Sequence, residues 1–341
     1  MIPITIIYSI LIFIVLILVH EAGHFFAAKA CGVQVNEFAL GLGPVLVKKK
    51  IGETEYAIRA LPFGGQCVME GEDENSTNPR AFTNAARWKK LIILFAGVFM
   101  NFLLGFFIFL AITAPEPEYI PPKIEYMYDK FTGGDAIQPD DTIVSVDGYH
   151  IYLASDISYA LSMSNDYDFD FVIKRNGEKI RLNQLHVEPQ PYEEDGETVY
   201  YYGFRYKVEE RTFFNALKET WYNCINMVRM VFESIGMIFK GQVGFNDLSG
   251  PIGIVAIMSD TAKTSMYSFW YLGAFIAINL AVMNLLPIPA LDGGRIFFIL
   301  IEIITRKKIN QKFEAILNTV VLLLLLCLMA AIAVKDVITL F

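Results

Sequence analysis

The chain has 341 residues, 54% hydrophobic and only 19% charged, with a mean hydropathy of +0.42. A soluble globular domain carries about 25% charge, so a cytosolic enzyme fits poorly, and disorder, which needs low hydrophobicity with high net charge, fits worse. The formal net charge of −8 argues against nucleic acid as a partner.

The first predicted element is the apolar run Ile2–Ala28, long enough to cross a bilayer, which takes about 20 residues. It has no basic leader and no small-residue cleavage site before Lys29, so it reads as a retained span. Residues 35–70 alternate and carry several glycines, which predicts β-hairpins. A second span follows at Leu91–Ala114. Residues 115–211 then hold 9 basic and 20 acidic side chains, a balance of −11 that suits an exported domain, and no cysteine. The four cysteines, Cys31, Cys67, Cys224 and Cys327, form neither a disulfide framework nor a CxxC site.

Across 213–240 the charges Lys218, Arg229, Glu233 and Lys240 fall within roughly 60° at helical spacing. Trp221, Met227, Met230, Phe232 and Met237 lie off that stripe, which predicts a helix lying in the membrane interface. The alternative is a fifth span. That would reverse the next helix, Tyr267–Leu286, and deliver Asp292 to the wrong face. Pro287 and Pro289 end that third span, Gly293 and Gly294 permit a sharp turn, and a further helix is expected from near Arg295. The last span is Ala315–Val334. Nine Lys and Arg within 29–90, and Arg295, Arg306, Lys307, Lys308 and Lys312 within 287–316, put both loops in the cytoplasm.

His20-Glu21-Ala22-Gly23-His24 is an HExxH motif. On a helix the two imidazoles stand one turn apart on one face and can reach one Zn²⁺, while Glu21 beside them can take a proton from the water the metal activates. Two satisfied core histidines would be the plain reading, but ionisable groups inside an apolar span are costly and functional by default. At 1.5 Å per residue, His20 and His24 lie roughly 7–14 Å inside the boundary marked by Lys29. A zinc hydrolase needs a third protein ligand at the same depth and an open fourth position. Asp292, beyond the broken helix, supplies that ligand; the alternative is a loop aspartate capping the following helix. Asn279 and Asn101 read as interhelical hydrogen-bond residues.

The HEAGH stretch and Asn284-Leu285-Leu286-Pro287-Ile288-Pro289-Ala290-Leu291-Asp292-Gly293-Gly294 together resemble the site-2 protease family of intramembrane zinc metalloproteases (peptidase family M50), in its bacterial regulator-of-sigma-E type. The resemblance covers nearly the whole chain. It extends through Gly41-Leu42-Gly43-Pro44, Pro62-Phe63-Gly64-Gly65, Ala96-Gly97 with Asn101-Phe102, and Ser249-Gly250-Pro251-Ile252. Val98 departs from the proline usual in the family, which touches helix packing and not the metal site.

The resemblance implies that His20, His24 and Asp292 bind Zn²⁺, that Glu21 activates water and that Asn284 holds substrate backbone. Capping of the broken helix is the alternative for Asn284. It implies a β-element dipping toward the site, where a strand edge can add an unwound substrate. Residues 133–148 resemble a PDZ fold, with Asp140 in place of the usual glycine. Such a domain takes a peptide ligand or acts as a size filter, and both readings stand.

The expected whole is an α-helical polytopic membrane protein with four transmembrane helices, a membrane-associated β-hairpin region and one inserted extracytoplasmic PDZ (α+β) domain. Its segments are 1–30, the first span with HExxH; 31–88, the cytoplasmic or re-entrant β region; 89–114, the second span; 120–208, the PDZ domain; 212–265, interfacial amphipathic helices; 266–294, the third span with the proline motif; and 315–336, the fourth. The expected function is hydrolysis of peptide bonds in or near the transmembrane segment of single-pass membrane proteins, in regulated intramembrane proteolysis of an anti-sigma factor or a signal-peptide remnant, for example. The active site would lie near the cytoplasmic side of the cell membrane. A non-catalytic membrane PDZ scaffold is the alternative, and the intact Glu21 counts against it. A zinc transporter would want ligands along a path through several helices, whereas His150 and His186 lie outside the apolar runs.

Overall fold

Long apolar runs fold as helices because a helix satisfies every backbone hydrogen bond internally and so tolerates lipid around it. The computed structural model describes residues 4–72, 76–164, 166–194, 197–244, 247–307 and 309–340; Ile2 and Lys308, both used above, lie outside them. Along the chain come α1 (Ile4–Ala30), β1 (Val35–Ile51), β2 (Thr54–Met69) and α2 (Arg87–Thr113). A β-rich stretch follows: β3 (Glu118–Tyr119), β4 (Ile124–Met127), β5 (Thr142–Val146), β6 (Tyr149–His150), α3 (Ala154–Ser162), β7 (Asp168–Arg175), β8 (Glu178–His186), β9 (Gln190–Glu194), β10 (Glu197–Tyr201), β11 (Phe204–Tyr206) and β12 (Glu209–Glu210). The chain ends in α4 (Phe213–Phe239), α5 (Pro251–Thr264), α6 (Met266–Leu285), α7 (Asp292–Thr305) and α8 (Gln311–Leu340). It divides into two compact units, residues 1–112 with 224–341, and residues 113–223.

Among the described residues four helices are long and apolar enough to cross a membrane: Thr5–Ala30, Arg87–Thr113, Met266–Leu285 and Lys312–Ile338. They coincide with the four predicted spans. α1 and α2 touch through small residues, as helices without a hydrophobic drive between them must. A Cβ at Gly23 would strike the backbone of Ala96 and Gly97. Within the same unit, Cys224, Met227 and Val231 of α4 pack with Phe109 of α2 and with Ala274 and Ile278 of α6.

The β region holds the expected hairpin, β1 with β2, and folds it back on itself. β1 and β2 are long, bent strands that pair twice. Phe38 faces both Cys67 and Tyr56, and Leu40 faces both Gly65 and Ile58. Farther out, Lys48 faces Ala57 and Lys50 faces Glu55. The first half of β1 therefore lies between the two halves of β2, and the second half of β1 covers the outer side of 54–59. Phe38 and Tyr56 pack on Phe25 of α1, with ring centroids 5.2 and 6.0 Å away. At the turn between the strands, Glu53 accepts hydrogen bonds from Lys29 at 2.5 Å and from Arg80 at 2.6 and 2.9 Å. Arg80 and Lys29 hold its carboxyl down to about 2.

The second unit is built on an antiparallel sheet of order β6-β5-β7-β8. Its core takes alternate residues of β7, Phe169, Phe171 and Ile173, with Ile143, Val146, Ile157 and Leu161. A buried carboxylate, Asp141, pairs with Arg175 at 2.7 Å. Asp140, which stands where glycine is usual in the resemblance, adopts φ +71, the left-handed conformation glycine takes without strain. Its carboxylate meets Lys123 at 2.7 Å, and that ammonium holds it below the usual carboxylate range.

Candidate metal centre

α1 carries His20 and His24 on one face, and α7 begins at Asp292, three residues earlier than the predicted start near Arg295. Asp292 does not cap that helix. Leu291 is the cap residue, and no side-chain hydrogen bond is made there. The carboxylate turns toward the imidazoles instead. His20 Nε2 and His24 Nε2 are 3.2 Å apart, and each is 3.3 Å from Asp292 Oδ2. A tetrahedral zinc bound at about 2.0–2.1 Å has ligand-to-ligand edges of about 3.3–3.4 Å. The triangle already has that size.

Two further observations fit a cation rather than protons at its centre. His24 Nδ1 lies 2.9 Å from the Ile93 carbonyl, an acceptor only, so Nδ1 carries the hydrogen and Nε2 is left with its lone pair. Asp292 Oδ2 is buried and makes no hydrogen bond. Among the described residues these three form the only cluster of three metal-ligating side chains. The described residues of β8 place His186 elsewhere, 2.8 Å from Asp168.

The loop that delivers Asp292 differs from expectation in its turn. Gly293 and Gly294 are helical, not sharply turned, and the left-handed residue is Ala290, with φ +73. The glycines serve close approach. A Cβ at Gly293 would meet the backbone of Leu285 and Leu286, and one at Gly294 that of Ile288. The Ala290 N–H donates to Asn318 Oδ1 of α8 at 3.1 Å, so a polar residue within the last span braces the loop.

A cavity of about 600 Å³ opens on the three ligands and is also lined by Glu21, Gly65 and Asn284. Asn284 stands in the last turn of α6, on the cavity wall. β2 closes one side. A Cβ at Gly65 would press on the Glu21 side chain and on Ile17. Among the described residues, 65–69 pair with β1 along one edge only, and this stretch lines the cavity. Cys67 is there too, and burial, with the Glu21 and Glu72 carboxylates, pushes its thiol up. Asn101, expected to bond another helix, is buried with no partner for either amide atom.

Sequence reasoning missed a clamp at the cavity mouth. Arg295 of α7 donates to Glu72, just beyond β2, at 2.5 Å, and Glu72 also accepts from the Met69 N–H at 3.2 Å. The pair ties the strand edge to the helix carrying Asp292. The acidic–basic pair lies far apart in the chain, and only the glycines beside each partner hinted at close packing. Charge reversal of either partner alone should raise KM with a smaller change in kcat. The exchanged pair, Glu72→Arg with Arg295→Glu, should recover about 1 kcal/mol of coupling in a double-mutant cycle. Additive losses would show that the clamp does not act as a unit.

The chain is similar to known proteins along nearly its whole length. The pattern described as Peptidase family M50 matches residues 8–328. A relative from Clostridium acetobutylicum, named "Putative zinc metalloprotease", is 35% identical over 334 residues, which is 98% of this chain and 97% of the relative. One of the same name from Clostridium perfringens is 35% identical over 336 residues, 98% of each chain. Another, from Fusobacterium nucleatum, is 34% identical over 335 residues, 96% of each. With an HExxH helix, four membrane-length helices and relatives matched end to end, the chain belongs to Peptidase family M50, the zinc-dependent metalloproteases.

Proposed function

We propose that this metalloprotease cuts peptide bonds within or beside the transmembrane segment of single-pass membrane proteins. The observation that carries the reading is the position of the His20–His24–Asp292 triangle: its two histidines lie within an apolar, membrane-length helix, and the cavity it opens on is lined by the edge of β2. His20, His24 and Asp292 would hold zinc, which supplies Lewis-acid polarisation of water and of the scissile carbonyl.

The remaining work falls to the chain itself. A helical substrate hides its peptide bonds and must unwind to be cut. The edge of residues 65–68 away from β1 offers backbone N–H and C=O groups to an extended segment, and strand addition replaces the hydrogen bonds the helix gives up. The Asn284 amide pairs with a further freed group. Glu21 takes one proton from the attacking water as oxygen adds to the carbonyl carbon. It passes that proton to the amide nitrogen as the C–N bond breaks, leaving a carboxylic acid and an amine.

Both basic loops lie on the cytoplasmic side in this reading, so the centre sits nearer that face and the second unit lies outside. That unit, a PDZ-like domain, would select substrates by binding a chain end or by excluding bulky ectodomains. Anti-sigma factors and signal-peptide remnants fit the class.

The test is reconstitution of the purified chain in liposomes with a single-pass membrane protein, with the products mapped by mass. Cleavage inside or within a few residues of the transmembrane segment, lost on chelation and restored by zinc, is expected. Cleavage confined to water-soluble segments would overturn the proposal.

A further inference from the structure

A metal-binding imidazole keeps its orientation by donating its other ring N–H to a fixed acceptor. His24 obeys this rule through the Ile93 carbonyl of α2 at 2.9 Å. His20 has no such partner: its Nδ1 is buried and makes no hydrogen bond. α2 holds a matching orphan. Asn101 is 0% exposed, and neither its Oδ1 nor its Nδ2 meets a partner. A buried amide left this way is rare and calls for a reason.

Heights can be compared because the contacts of α1 and α2 follow opposite chain order, beginning with Ala28, which clusters with Ile93 and Leu94. At one level Gly97 lies against the His24 ring. Farther along, Leu104 packs on the cluster that holds Ile12 and Leu16. Asn101 stands one helical turn beyond Gly97 on the same face, and His20 stands one turn before His24 on its own. The two orphaned groups therefore share a level between the neighbouring helices.

We propose that Asn101 is the positioning residue for His20, its amide oxygen accepting the His20 Nδ1–H through one bridging water. The inference rests on the metal-centre reading above. A buried water needs two or more polar partners, and these two groups supply them. The link fixes the tautomer of His20 so that its Nε2 lone pair faces Asp292. α2 then orients both imidazoles, one through a main-chain carbonyl and the other through a side-chain amide.

The test measures zinc affinity of the purified full-length chain by chelator competition, with the thermal midpoint recorded alongside. Asn101→Leu keeps the bulk and removes the acceptor, and should weaken zinc about 10–100-fold. Asn101→Asp retains an acceptor oxygen and should hold zinc near the wild-type affinity. Thr113→Val removes another unpartnered buried group from the same helix and should leave zinc affinity unchanged. Should Asn101→Leu fail to fold, Asn101→Ala is read in the same way. Wild-type zinc affinity in Asn101→Leu or Asn101→Ala overturns this proposal alone. A wild-type chain that binds no zinc overturns the metal-centre reading and this proposal with it.

Discussion

Glu21→Gln should keep its zinc and lose about 10²–10⁴-fold in turnover, the contribution of a positioned general base. The substitution is nearly isosteric. Glu21 stands one residue after His20, so it is rotated off the ligand face while still lining the cavity. Its side chain lies against Gly65, where any larger residue would displace it. Glutamine fills the same space, so the packing between α1 and β2 survives and the two imidazoles stay in place. Only the capacity to accept a proton is removed. Zinc content of the purified variant and cleavage of a membrane-embedded substrate separate the two effects. Wild-type cleavage by the variant would remove Glu21 from the mechanism. Equal loss of zinc and activity would make it a structural residue.

A single methyl group should be almost as damaging. In Gly97→Ala, the new Cβ lies within 2.9 Å of three atoms of the His24 ring. The ring has little room to retreat, because Nδ1 is tied to the Ile93 carbonyl on the same helix. Either that hydrogen bond breaks or the imidazole swings away from Asp292. Zinc affinity should fall by at least the 10–100-fold typical of disturbed support around a metal ligand. Overpacking adds about 1–3 kcal/mol of destabilisation. Gly105→Ala separates the two costs. Its Cβ would crowd Ile278 and the backbone of Ala274 on α6, which is tight packing away from the ligands. That variant should melt lower and still bind zinc normally. Undiminished zinc affinity in Gly97→Ala would mean that α2 does not support His24.

Chemistry in this chain was easier to read than geometry. The four-residue offset from His20 to His24 places both imidazoles on one helix face whatever else the fold does, and charge inside an apolar run is too costly to be incidental. The four spans follow from length and hydropathy alone. The β region was harder, because alternation predicts strands without saying which halves pair, and a strand that bends and is paired on both sides looks like two hairpins on paper. Near Asp292 the glycines were expected to form the turn, yet Ala290 does so, because the tight contact falls on Gly293 and Gly294. Beyond the glycines beside them, nothing local marked Glu72 and Arg295 as partners, since their attraction depends on β2 and α7 meeting around the cavity. Gly97 and Asn101 were visible as part of the resemblance, and Asn101 as an interhelical hydrogen-bond residue, but neither with a place beside the imidazoles. Their importance comes from what α1 presents to them.

The split of the triangle between α1 and α7 has a consequence for biosynthesis. During synthesis the two imidazoles are made almost first, and their carboxylate partner waits for most of the remaining chain to be translated. In the reading proposed above, a ribosome-bound chain that ends before α7 holds an incomplete ion site, and proteolytic competence would wait for the closing helices to dock.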